Sequence, residues 1–110
     1  MAANIDLYKT TINTPLVFAD KTLQDLIPWY VRSEKETLIS LQSALEEKNL
    51  PLLIYLGDML YGHGASFGFP LVSKIGKSIE LAAIKQNFTL LEALIETLKF
   101  YLKSVEATYL

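Results

Sequence analysis

The stretch Leu56–Pro70, LGDMLYGHGASFGFP, decides how this chain folds. Leu56, Met59 and Leu60 recur at three- and four-residue spacing, the period of a helix with one buried face. Gly57, Gly62 and Gly64 work against that helix, each costing roughly 0.5–1 kcal/mol relative to alanine. A helix carrying three of them needs small residues for close packing or for the approach of a partner. Gly68 suits a helix C-terminus, and Pro70 suits the first turn of the next helix. The stretch therefore predicts a helix, a tight link and a second helix. A phosphate-cradling loop is excluded, because GHGASFG contains neither GxxxxGK[ST] nor GxGxxG.

The same logic extends in both directions. Asn49, followed by Leu50 and Pro51, is a helix start, so the central helix covers Leu50 or Pro51 to about Ser66. Its apolar stripe is Leu52, Leu53, Leu56, Met59 and Leu60. A third helix is predicted over Pro70 to Ile84, with Leu71, Ile75, Ile79 and Ala82 or Ala83 facing inward. Gln86 and Asn87 form a short junction. The last helix covers about Thr89 to Ala107, with Leu91, Leu94, Ile95, Leu98, Leu102 and Val105 as its stripe and Phe100, Tyr101 and Tyr109 as anchors. Upstream, Leu23, Leu26, Ile27, Tyr30, Leu38, Leu41 and Leu45 predict a helix over Thr22 to Glu47. Pro28 leaves two alternatives: the helix starts near Asp25 with Pro28 in its first turn, or a longer helix kinks there. The acidic SEKE and LEEKN stretches read as solvated faces.

Residues 1–19 are the least helical part, broken by Thr10, Thr11, Asn13, Thr14 and Pro15. They read as an extended or short helical docking segment. Residues 20–110 then form an all-α, antiparallel up-down four-helix bundle, since amphipathic helices with short links bury their stripes against one another.

Composition narrows the function. The chain has 110 residues, suited to one domain, and 51% of them are hydrophobic, enough for a core. The net charge of -2 and the lack of a Lys/Arg run argue against a nucleic-acid binder. With no cysteine and a single histidine, neither thiol chemistry nor a protein zinc site is expected. No cofactor is expected. The amino terminus lacks a signal-peptide pattern, and no apolar run approaches the roughly 20 residues that span a bilayer. The expectation is a monomeric cytoplasmic protein without membrane insertion.

Asp58 and His63 lack an evident catalytic partner. Glu80 and Glu92 show no paired spacing with them, and Ser66 near His63 has no nucleophile elbow. Hydrolytic chemistry is not expected.

The run Asp58, Met59, Leu60, Tyr61, Gly62, His63, Gly64, Ala65, Ser66, Phe67, Gly68, Phe69 resembles the active helix of histidine-containing phosphotransfer (HPt) domains of bacterial two-component phosphorelays. That family carries His-x-x-Lys-Gly followed by small residues and an aromatic-Gly-Phe end. LVSKIGKSIELAA resembles the helix that follows, and VFADKTLQDLIPWYV resembles the entry into the first long helix. The resemblance spans Pro15 to Tyr109 and implies a four-helix bundle that meets a receiver domain of a response regulator or a histidine kinase.

The chain departs from the family where its chemistry lies. Asp58 occupies the phosphoaccepting histidine position, and Tyr61 occupies the lysine position. A carboxylate has no ring nitrogen to form a phosphoramidate, so no catalytic residue is expected there. His63 is the alternative acceptor, but five residues of helix turn it about 140° away from Asp58. The resemblance therefore implies a catalytically inactive adaptor with Asp58, Tyr61, Gly62 and Ala65 on a flat docking face. Lys74 and Lys77 of the next helix are expected to flank it. The alternatives are phosphotransfer through His63, or a helical bundle that serves only structure and association.

Overall fold

Three short links of one geometry set the architecture. The computed structural model describes residues 21–109, with side chains from Asp25 onward. They form four helices: α1 (Lys21–Glu46), α2 (Leu50–Phe67), α3 (Pro70–Ile84) and α4 (Phe88–Tyr109). In each link the chain steps through one left-handed residue, namely Lys48, Gly68 or Gln86. The residue after it donates its N–H back into the helix just ended: Asn49 to Ala44, Phe69 to Gly64 and Asn87 to Ala82. These bonds satisfy carbonyls that a helix end leaves open. Asn49 and Asn87 then cap the next helix, their side-chain oxygens accepting from the N–H of Leu52 and Leu90. Such short reversals make consecutive helices antiparallel neighbours.

The predicted all-α up-down four-helix bundle is what the chain forms. The helices pack in a closed ring: α1 on α2, α2 on α3, α3 on α4 and α4 on α1. A 26-residue helix is about 39 Å long, so α1 alone accounts for the 39 Å long axis of the molecule. The interior is filled by the anticipated stripes. Leu53, Leu56 and Leu60 of α2, Leu71, Ile75, Ile79, Ala82 and Ala83 of α3, and Leu91, Leu94, Ile95, Leu98, Leu102 and Val105 of α4 are all buried.

Several expectations need correction. Of the two alternatives for Pro28, a start near Asp25 is ruled out: α1 is already helical at Lys21, about two turns before the proline, and continues through it. The proline deprives the carbonyl four residues earlier of its donor, a loss that one helix of seven turns sustains. Leu26 is exposed rather than inward-facing, and Phe100 points to solvent while Tyr101 is buried. The SEKE stretch is not wholly solvated, because Glu34 is completely buried. The predicted docking segment 1–19 lies outside the described residues. Among the described residues, no helix is long and apolar enough to cross a membrane.

Candidate functional site

The α2–α3 hairpin is the tightest joint in the bundle, and its glycines explain why. A Cβ on Gly57 would lie 2.7 Å from the carbonyl oxygen of Gly76, and one on Gly76 would lie 2.6 Å from that of Gly57. A Cβ on Gly64 would lie 2.5 Å from the backbone nitrogen of Ser73. Real side chains do not fit such gaps, so the two helices meet backbone to backbone. Ser73 adds a bond across the joint, its hydroxyl donating to the carbonyl of Tyr61 at 2.9 Å.

Gly62 is different. A Cβ there would meet nothing within 4 Å among the described residues. It is an exposed glycine inside a helix, where it weakens the helix without permitting any packing. Around it on the same outer face lie Asp58, Tyr61 and Ala65, all exposed. Three- and four-residue steps bring these residues together.

Helix α3 contributes the flanking charge. The Lys77 ammonium stands 5.6 Å from the centre of the Tyr61 ring, a cation–π contact, and 3.0 Å from a Glu80 carboxylate oxygen. Its hydrogen bond to Glu80 and that carboxylate's charge raise the lysine's pKa, with smaller contributions from Tyr61 and Asp58. Lys77, paired with Glu80, thus stands beside Tyr61 on this face. Lys74 lies one turn nearer the link, where it lines a shallow depression with Gly64, Ala65, Gly68, Pro70 and Ser73. The six predicted docking residues thus fall on the exposed side of one hairpin, with Lys77 beside Tyr61 and Lys74 beside Ala65.

His63 faces elsewhere. Its Nδ1 lies 3.6 Å from a carboxylate oxygen of Glu34 on α1, while Lys77 and Tyr61 meet on the α3 side. Glu34 is the residue that sequence reading missed. It is 0% exposed, and neither carboxylate oxygen has a hydrogen-bond partner among the described residues. Burial raises its pKa above the usual carboxylate value, and His63 pulls in the opposite direction. One turn earlier on α1, the buried Tyr30 hydroxyl also lacks a partner among the described residues. Tyr30 stacks between Phe67 and Phe69, at 4.6 and 5.1 Å between ring centres. The signal for Glu34 was positional: it lies four residues after Tyr30 and four before Leu38, within the inward stripe.

Comparison of the chain with protein-family models, curated proteins and solved structures finds no match. The functional reading accordingly stands on the arrangement of these residues.

Proposed function

We propose that this chain is an HPt-like signalling adaptor without phosphotransfer chemistry. It binds a receiver domain of a response regulator, or a hybrid histidine kinase that carries one, through the α2–α3 face around Asp58. Gly62 carries the reading. The glycines at 57, 64 and 76 are accounted for by helix packing, but Gly62 is not. A bare helical backbone in open space, between Asp58, Tyr61 and Ala65, suits close approach by another protein. Tyr61 adds aromatic area of the kind enriched at interfaces, and Lys74 and Lys77 offer cations to an acidic partner surface. Asp58 supplies no nucleophilic nitrogen, so the face binds without accepting a phosphoryl group.

Isothermal calorimetry tests this reading. The protein is titrated with each receiver domain of its source organism, with and without a phosphate mimic. At least one receiver is expected to bind saturably, and Gly62→Arg is expected to abolish that binding while leaving the helical content unchanged. Absence of binding to every folded receiver would overturn the adaptor reading and leave a bundle with a purely structural role.

A further inference from the structure

Glu34 and His63 lie outside the docking face, and nothing in the adaptor reading uses them. Their arrangement is nonetheless unusual. A carboxylate that is 0% exposed sits at the α1–α2 seam with both oxygens unbonded, and the nearest basic group is an imidazole at 3.6 Å whose side chain is 47% exposed. Buried carboxylates are ordinarily paired or hydrogen-bonded, because an isolated charge is strongly disfavoured away from water. The separation is longer than an ordinary hydrogen bond, and the imidazole keeps access to solvent.

The other groups facing this pair supply no cation. Tyr30, on the same helix, is a phenol whose proton is held more tightly chiefly because it is buried, with smaller contributions from the Glu34 charge and Tyr101. Tyr101 of α4 stands behind it, likewise pushed up, to about 12, chiefly by burial. Lys35, the next residue on α1, turns away to pair with Glu106 of α4 at 2.9 Å. Lys77 of α3 is engaged with Glu80. His63 is thus the one basic partner that Glu34 has among the described residues.

We infer that Glu34 and His63 form a shared-proton site at the α1–α2 seam, and that loss of its proton loosens α1 from α2. With the proton held, on either residue, the pair carries no net charge. After its loss a single buried carboxylate charge remains beside a neutral imidazole that no longer offsets it. The hydrophobic stripes of α1 and α2 still favour docking, so the seam changes in stability rather than in topology.

Denaturant unfolding of the full chain across pH, read together with amide hydrogen exchange, tests the inference. The native chain is expected to lose stability as pH rises. Its unfolding constant should increase by up to about tenfold per pH unit in the range where one proton is released. Glu34→Gln, which keeps the shape and removes the charge, is expected to flatten that dependence. His63→Gln is expected to move the onset of the loss to lower pH, since Glu34 then lacks its cation. Exchange rates, corrected for their intrinsic pH dependence, should rise first around Glu34 and His63 and later in α3 and α4. An unchanged slope in Glu34→Gln, an unmoved onset in His63→Gln, or uniform loss of protection through the bundle would each overturn the inference. Should Glu34→Gln fail to fold, the exposed His63→Gln site and the native exchange profile still decide it.

Discussion

At the scale of single residues, glycines of one helix serve opposite ends. Gly57 and Gly64 are required by the backbone of α3, while Gly62 costs helix stability and permits no packing. Gly62→Ala is therefore expected to stabilise the protein by about 0.5–1 kcal/mol. Gly57→Ala is expected to destabilise it by about 1–3 kcal/mol, as overpacked cores do. Equilibrium unfolding in urea measures both, and the opposite signs are the point: equal destabilisation would mean that Gly62 is structural after all. Glu34 follows the same separation of stability from position. Its folded pKa is raised from 4.5, so the fold holds its proton more tightly than the unfolded chain does. The resulting stabilisation is fully present below pH 4.5 and is lost as pH rises through the folded pKa. Relative to the native chain, Glu34→Gln thus gains stability at pH values above the folded pKa, where the native carboxylate is charged.

At the scale of elements, the links were the most legible part of the sequence. Asn49, Pro51, Gly68 and Pro70 each have a local physical preference that needs no tertiary context, and the ends of α2 and α3 fall within about a residue of where those preferences put them. The beginning of α1 was not legible, because Pro28 is compatible with a first turn or an interior position, and only packing distinguishes them. Glu34 was missed because its charge outweighed its place in the stripe. On the site, Asp58, Tyr61, Gly62 and Ala65 could be grouped from spacing alone. The distinct placements of Lys74 and Lys77 depend on the register between two helices, which the Gly57–Gly76 crossing sets. The link at Gly68 has φ 81°, a left-handed geometry that a side chain strains. Gly68→Ala is expected to cost about 1–2 kcal/mol, and a chemical-denaturation midpoint shift without a change in slope would register it. A neutral result would show that the α2–α3 link relaxes into another turn.

At the scale of the whole molecule, the chemistry of the proposed docking face and the architecture beneath it are separable. Asp58 and Tyr61 point outward from a hairpin whose joint is made elsewhere. Replacing both, Asp58→His with Tyr61→Lys, is therefore expected to leave the fold intact. If the face is an HPt-like one, the doubly substituted protein should take up an acid-labile phosphoryl group from a phosphorylated receiver that binds it, while the native chain does not. Intact-mass measurement at neutral pH reads the transfer. Binding without transfer would separate the docking geometry from the phosphorelay geometry. The crossing of Gly57 with Gly76 has a mechanical meaning as well. Where Gly57 and Gly76 cross, backbone meets backbone, so α2 and α3 pack there as a single two-helix plate. If a protein docks on that plate as proposed, the helical backbone it meets is already ordered, which limits the entropy lost on contact. Such a plate works as a template rather than as a spring.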